Sequence, residues 1–256
     1  MYIETCTQMS LHHSFYDIYS QYLFDNFECY NCCVIDQDIA KHFQGLANFA
    51  ELGSNRSVLD MGCGNGQFLN FLCKTFNNLQ ALGVDPSKKQ IVIARDHADG
   101  PSFQDDDCVT FVPTQKYDRI FFNESIGYNK DNQYQLLHQY LDMLNPGGLL
   151  IISTFTRHGP LFGVNFDKIN RNYKQFFAQR GHGLSVLIAV SGQFEYQRMD
   201  FNYIKKYFKY DVLEGPKVVQ KKWLTKRPDI GYTRFLESEL LSSHKIFKIY
   251  GPKEKT

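Results

Sequence analysis

The sequence has little excess charge and no long apolar run. Its 256 residues carry 28 Lys and Arg against 27 Asp and Glu, which gives a formal net charge of +1. This balance argues against a nucleic-acid-binding surface, and Trp223 and Leu224 interrupt the longest basic cluster, residues 217–227. No apolar run approaches the roughly twenty residues that a membrane-spanning helix needs. We therefore expect neither a nucleic-acid nor a membrane partner.

Cysteine is present but lacks the spacing of a disulfide or metal framework. The seven cysteines are odd in number and scattered, and no C-x-x-C pair repeats at zinc spacing. The N-terminal residues show no basic region followed by an apolar core, so no signal peptide is predicted. We expect reduced thiols, no metal site and a cytoplasmic location.

The most informative stretch is residues 57–69, which read S-V-L-D-M-G-C-G-N-G-Q-F-L. A short apolar run predicts a buried strand that ends at Asp60, and helical spacing of Phe and Leu follows the glycines. Strand, glycine turn and helix begin a β-α-β unit. Gly62, Gly64 and Gly66 allow a sharp turn and let a ligand lie against bare backbone, while the helix start offers free amides.

The loop spacing, G-x-G-x-G with an acid two residues before the first glycine, differs from the G-x-G-x-x-G of dinucleotide sites. The run D-M-G-C-G-N-G resembles the first motif of the class I S-adenosylmethionine-dependent methyltransferases. The resemblance implies S-adenosylmethionine as cofactor and S-adenosylhomocysteine as product. It also implies that the loop wraps the methionine end and that the acid helps to hold its amino group. The implied cofactor-binding residues here are Asp60, Gly62, Cys63, Gly64, Asn65 and Gly66.

A second short apolar strand follows, and Asp85 ends it. Asp85 lies about 20 residues beyond the loop, where the acid of a Rossmann-like unit accepts ribose hydroxyls. An ordinary turn acid before Pro86 is the alternative. Ser87 is predicted to cap a helix over residues 88–96, with Gln90 facing inward. Pro86 and Gln90 complete this part of the predicted cofactor site.

The third strand is ambiguous from the sequence. Residues 102–104, followed by three acids, resemble the family's third strand, whose acid reaches the adenine amino group, and residues 108–112 are the competing strand. Asp106 is the predicted adenine contact. A fourth strand over residues 117–122 leads to Asn123, which should point at the ligand because sites in open α/β sheets lie at strand carboxyl ends.

The remaining elements complete the resemblance. An L-N-P-G-G turn precedes a fifth strand at residues 149–153, and residues 246–250 suit an antiparallel seventh strand. The order implies an α/β, Rossmann-like fold of seven mostly parallel strands, with an antiparallel last strand and helices on both faces. We expect an N-terminal helical cover over residues 1–54 and a methyltransferase domain over 55–256. Residues 155–191 are an expected cap insertion.

Transfer of a methyl group from a sulfonium needs placement, and a base where the acceptor carries a proton. The catalytic candidates are Glu124, Tyr128 and, in the expected cap, His158. The run N-E-S, with a nearby tyrosine, resembles the isoprenyl-diphosphate C-methyltransferases. This resemblance implies that Glu124 steadies a carbocation or accepts its proton. A structural glutamate that holds another side chain or a water is the alternative.

The leading hypothesis is S-adenosylmethionine-dependent methylation of a small-molecule metabolite, with C-methylation of an isoprenoid or other alkene-bearing substrate as its finer form. An O- or N-methyltransferase is one alternative, and a cyclase-type member that retains the cofactor without transferring methyl is another. Methylation of nucleic acid or protein is disfavoured because the fourth strand ends in N-E-S-I rather than an N-P-P-Y type motif. The partner expected is a small-molecule substrate, and the sequence is compatible with a homo-oligomer without specifying the oligomeric state.

Overall fold

The described part of the chain forms a seven-stranded sheet with helices packed on both faces. The structure is a computed structural model, and it describes residues 35, 37–123, 125–126, 133–155, 201–214 and 244–251. The helices are α1 (Gln37–Phe49), α2 (Gln67–Thr75), α3 (Lys88–Asp96), α4 (Gln133–Asp142) and α5 (Phe201–Tyr207). The strands are β1 (Ser57–Met61), β2 (Gln80–Asp85), β3 (Ser102–Asp105), β4 (Tyr117–Asn123), β5 (Leu144–Phe155), β6 (Tyr210–Glu214) and β7 (His244–Tyr250).

The strands lie in the order β3-β2-β1-β4-β5-β7-β6. The pairs from β3 to β5 are parallel, whereas β7 runs antiparallel between β5 and β6. The predicted Rossmann-like α/β sheet with an antiparallel last strand is therefore confirmed. The chain order reverses between β1 and β4, and open parallel sheets bind ligands at such a switch point, beyond the carboxyl ends of the strands.

Each face of the sheet carries its own apolar core. Successive side chains of a strand point to opposite faces. Phe122 of β4 therefore packs edge-on against Tyr140 of α4, with ring centroids 4.9 Å apart. Its neighbour Phe121 packs on the other face against Phe68 of α2 at 5.0 Å. Helices α4 and α5 cover the first face, and α1, α2 and α3 cover the second, which confirms the prediction of helices on both faces.

Strand pairing resolves the ambiguous third strand. Ser102 pairs with Leu82 of β2, and the parallel ladder continues to Asp105. Phe103 is buried within this short edge strand, whereas Val112 of the competing stretch is 78% exposed. The competing stretch, residues 108–112, therefore has no strand partner and forms a turn after β3.

The predicted L-N-P-G-G turn lies inside β5 as a bulge. Leu144 pairs with Tyr117 of β4, and the next paired residue, Leu149, faces Arg119. The bulge, residues 145–148, includes Gly147 at a φ of +74°. Only a residue that tolerates the left-handed region can occupy that position without strain. The strand therefore begins earlier than predicted and is interrupted where the turn was expected.

Part of the predicted domain division falls outside the described residues. The helix α1 lies within the predicted cover, residues 1–54, and most of the preceding stretch is not described. Of the predicted cap, residues 155–191, only Phe155 is described, at the end of β5. The division into cover, domain and cap remains a prediction.

Two buried cations hold the end of α1 against the sheet. Arg119 donates to the carbonyl oxygens of Ala50 and Glu51, which follow the helix and lack intrahelical donors. Lys248 of β7 donates to the Glu51 carboxylate at 2.8 Å and forms an ion pair with Asp211 at 3.0 Å. Burial alone would lower the pKa of Lys248, but these bonds raise it above its usual value. Lys248 therefore stays charged at neutral pH.

Replacing Arg119 by Leu is expected to lower the free energy of unfolding by about 2–3 kcal/mol, because the buried Ala50 carbonyl would lose a charged donor. Urea unfolding monitored by circular dichroism measures this loss. Arg56→Leu is the matched control. Arg56 is half-exposed and makes only a 3.8 Å ion pair with Asp118, so we expect a change below about 0.5 kcal/mol. Equal losses in the two variants would contradict the role assigned to Arg119.

Candidate cofactor site

The glycine loop, residues 62–66, joins β1 to α2 at the switch point of the sheet. The backbone amides of Gly62 and Cys63 donate to the Val84 carbonyl of β2 at 2.7 and 3.1 Å. The amide of Gly66 then closes the turn by donating to the Cys63 carbonyl at 3.1 Å. These bonds fix the loop against the carboxyl end of β2.

Two of the three loop positions must be glycine because another side chain of the protein packs against each of them. Gly62 has a φ of +81°, and a Cβ there would lie 2.3 Å from the Cβ of Ser125. Gly66 has a φ of +78°, and a Cβ there would lie 2.5 Å from the ring of Phe103. Both positions therefore exclude a side chain for steric and conformational reasons, whether or not a ligand is bound.

Gly64 differs from its two neighbours in the loop. Its φ is +56°, and among the described residues the one atom within 4 Å of a Cβ built there is Oε1 of Gln90, at 3.9 Å. The bare backbone of Gly64 thus faces open space, as expected for a surface on which a ligand lies. This observation distinguishes Gly64 from the two glycines against which other side chains pack.

Asp85 links the loop to the helix that follows β2. It is buried at the end of the strand, and its Oδ2 accepts a hydrogen bond from the amide of Gly64 at 2.9 Å. Its Oδ1 accepts from the amide of Ser87 at 2.9 Å, next to the half-buried Pro86. Ser87 caps α3, because its hydroxyl accepts from the Gln90 amide, and this confirms the predicted cap. The carboxylate is therefore held rigidly beside the loop.

Three of the predicted cofactor residues carry buried oxygens with no hydrogen-bond partner among the residues that the structure describes. They are Oδ1 of Asp60, Oε1 of Gln90 and Oδ1 of Asn123. Asp60 pairs with Phe121 in the parallel ladder, so Asp60 and Asn123 lie on the same face of adjacent strands. Buried acceptors without donors are rare in folded proteins, and these fit a ligand that brings N–H groups or positive charge.

The electrostatics of the site favour a cationic ligand. Burial, and then the negative charge of Asp85, raise the pKa of Asp60 to about 8. The same burial, with Asp85 and Asp60 nearby, raises the pKa of the Cys63 thiol well above its usual value. Cys63 is therefore a neutral, buried thiol, and neither it nor the buried Asn65 offers a charged group to a ligand.

Asp106, the predicted adenine contact, organises the turn after β3. Its Oδ1 accepts from the amide of Asp107 at 2.8 Å and from the hydroxyl of Thr110 at 2.9 Å. Its Oδ2 accepts from the side-chain amide of Gln104 at 3.1 Å. These hydrogen bonds give the Asp106 carboxylate a structural role in its own turn. Its contact with adenine remains a prediction.

Sequence reasoning missed Ser125 and Phe103, the two side chains that pack against the glycine loop. The small last residue of the N-E-S run, and an aromatic on the expected third strand, were the available signals. The predicted catalytic residues, Glu124, Tyr128 and His158, lie outside the described residues.

In the part of the chain that the structure describes, no group of three or more His, Cys, Asp and Glu side chains is arranged to hold a metal ion. Within the same stretches, every helix is too short or too polar to cross a bilayer.

Residues 36–205, more than half of the chain, match a protein family described as "Methyltransferase domain". The chain belongs to this family. The match runs from the start of α1 into α5 and so includes the glycine loop, Asp85 and Asn123. It confirms the resemblance to class I methyltransferases and supports S-adenosylmethionine as the cofactor.

The methyltransferase domain also resembles curated enzymes over part of their length. It is 33% identical over 130 residues to the ubiquinone biosynthesis O-methyltransferase of Bradyrhizobium sp. (strain ORS 278), covering 48% of this chain and 49% of that protein. It is 32% identical over 97 residues to the trans-aconitate 2-methyltransferase of Acidovorax sp. (strain JS42), covering 38% and 37%. The chain thus spans half or less of the length of these relatives.

A solved structure supports the fold over nearly the whole chain. The plantazolicin methyltransferase BpumL, determined with S-adenosylhomocysteine and a pentazolic desmethylPZN analog, superposes with a TM-score of 0.53 at 16% identity. The superposition covers 96% of each chain. At this identity the likeness concerns the fold of the methyltransferase domain alone.

Proposed function

We propose that this protein transfers a methyl group from S-adenosylmethionine to a small-molecule acceptor. The observation that carries the proposal is the bare, outward-facing backbone of Gly64 beside a fixed carboxylate, Asp85. The unpartnered oxygens of Asp60, Gln90 and Asn123 add acceptors to the same end of the sheet. A nucleoside that also carries an ammonium and a sulfonium suits this combination.

The cofactor roles follow from the chemistry of each group. Asp85 is proposed to accept the ribose hydroxyls, because a carboxylate can accept from two hydroxyls at once. Asp60 and Asn123 are proposed to accept from the ammonium of the methionine end, and Asp106 from the adenine amino group. Gly64 lies against the cofactor through its backbone. None of these roles needs a metal ion.

The acceptor atom is the finer part of the proposal. When bound, S-adenosylmethionine supplies an electrophilic methyl group, so the protein must align the acceptor and receive any proton that it loses. Glu124 is proposed as that base or as the group that steadies a cation during C-methylation of an alkene, with Tyr128 and His158 as further candidates. The name of one curated relative, the ubiquinone biosynthesis O-methyltransferase, favours oxygen as the acceptor instead.

Incubation with methyl-labelled S-adenosylmethionine distinguishes these outcomes. Acceptors bearing a carboxylate, a phenol, an amine or a prenyl diphosphate are offered separately, and label in the product identifies the class. Loss of transfer in Glu124→Gln with a prenyl diphosphate would favour C-methylation, whereas normal transfer to a hydroxyl in that variant would favour O-methylation. Tight cofactor binding with no transfer to any acceptor would favour a cyclase-type member.

Asp85→Ala is expected to weaken S-adenosylhomocysteine binding by about 1–3 kcal/mol, the scale of hydrogen bonds to a charged group. The variant also removes the acceptor for the Gly64 amide, so the loop loses its contact with Asp85. Isothermal titration calorimetry measures the affinity. Asp99→Ala is the control, because Asp99 is exposed and its ion pair with Lys74 lies on the surface. Unchanged affinity in Asp85→Ala would count against the ribose role.

The cellular setting belongs to the same proposal. Cys63 and Cys73 carry reduced thiols, and we propose a reducing compartment such as the cytoplasm. Association into a homo-oligomer remains a prediction.

A further inference from the structure

Ser125 joins the chain after β4 to the glycine loop. Its side chain fills the space that a side chain at position 62 would occupy, and its Cβ lies 2.3 Å from the place of a Gly62 Cβ. Its hydroxyl donates a short hydrogen bond to the carbonyl oxygen of Met61, the last residue of β1. Gly62 is therefore bare because Ser125 packs on it.

With this contact, hydrogen bonds and packing connect the carboxyl ends of three strands, β1, β2 and β4. On one side, the Gly62 amide donates to the Val84 carbonyl of β2 at 2.7 Å. On the other side, the Ser125 hydroxyl bonds the end of β1, and the next residue, Ile126, is fully buried in the core beneath α4. The start of the loop is thus held between β2 and the chain that leaves β4.

The position of Ser125 gives this connection a functional consequence. Asn123 ends β4, and its buried Oδ1 has no hydrogen-bond partner among the residues that the structure describes. Because Ser125 follows two residues later, a displacement of the glycine loop would act on the end of β4 that carries Asn123. Gly64, two residues beyond Gly62, is the part of the loop that faces open space.

We propose that Ser125 is a positioning residue that couples the glycine loop to the chain that leaves β4, so that cofactor binding at the loop also stabilises Asn123 and residues 125–126. This inference rests on the proposed function for the identity of the cofactor. The contact itself depends only on the geometry of Ser125, Gly62 and Met61.

Ser125→Ala tests the coupling, because it retains the Cβ that packs on Gly62 and removes only the hydroxyl. Amide hydrogen exchange is followed by mass spectrometry with and without S-adenosylhomocysteine. In the wild type, the ligand should slow exchange in residues 62–66 and also in residues 123–126. In Ser125→Ala the protection should be confined to residues 62–66, and the dissociation constant should rise about fivefold, the scale of one hydrogen bond.

Ser102→Ala is the matched control. The Ser102 hydroxyl, on β3, also donates to the carbonyl of a neighbouring strand, that of Ala81 on β2. This variant should leave both the affinity and the transmitted protection unchanged. Transmission that survives in Ser125→Ala, or is lost equally in Ser102→Ala, would overturn the inference. If the wild type does not bind S-adenosylhomocysteine, the proposed function fails. Even in that case, ligand-free Ser125→Ala should exchange its amide hydrogens faster than the wild type in residues 62–66 and 123–126. Identical exchange would show that the Ser125 hydroxyl does not hold the loop to the chain after β4.

Discussion

Replacing Gly64 by Val is expected to weaken binding of S-adenosylmethionine at least about a hundredfold while the chain remains folded. The β-branched side chain would extend into the open space beside Gln90, where the cofactor is proposed to lie. The left-handed backbone, with φ at +56°, would also cost about 1–2 kcal/mol in a residue other than glycine. Calorimetry gives the affinity, and urea unfolding gives the stability.

Gly147→Val separates backbone strain from loss of the site. Gly147 has a φ of +74°, and no atom of the described residues lies within 4 Å of a Cβ built there. Its bulge lies near the start of β5, at the end of the parallel strands opposite to the glycine loop. This variant should lose similar stability and keep its affinity for the cofactor. Equal affinities in the two variants would mean that Gly64 does not face the ligand.

The elements around the cofactor site could be predicted because their signals are local. Ser87 precedes a helical pattern and caps it as expected, and residues 67–75 form the helix predicted after the glycine loop. The third strand was ambiguous because it is only four residues long, and short apolar runs do not distinguish strand from turn. Only its pairing with β2 resolves it.

Contacts between distant parts of the chain could not be predicted in the same way. The alternating pattern of β7 identified a strand, yet Lys248 is buried because Glu51, 197 residues away in the sequence, supplies its partner. The glycine pattern predicts a sharp turn and a ligand against bare backbone, but it does not say which glycine serves which purpose. In the structure, Ser125 packs against Gly62 and Phe103 packs against Gly66, whereas Gly64 faces open space. A one-dimensional pattern does not distinguish a glycine that accommodates a ligand from one that accommodates a side chain.

Asp60 should make both stability and cofactor affinity depend on pH. Burial and the charge of Asp85 raise its pKa to about 8, so the ligand-free native state holds a proton that the unfolded chain releases near pH 4. The native state therefore binds more protons than the unfolded state between these values. The contribution of Asp60 to stability is fully present below about pH 4 and is lost as pH rises towards 8. In Asp60→Asn this part of the decline should be absent in urea unfolding.

Cofactor binding should show the opposite dependence, because an ammonium beside Asp60 favours the ionised carboxylate. Binding then releases a proton, and the affinity for S-adenosylhomocysteine should rise by roughly a hundredfold between pH 5 and 7.5 in the wild type. Asp60→Asn should show a nearly flat profile. Methylthioadenosine, which keeps the adenine but lacks the ammonium and carboxylate of the methionine end, serves as the control ligand and should bind both proteins without this dependence. A flat wild-type profile, or calorimetry in buffers of different ionisation enthalpy that detects no proton release, would show that the ammonium does not bind at Asp60.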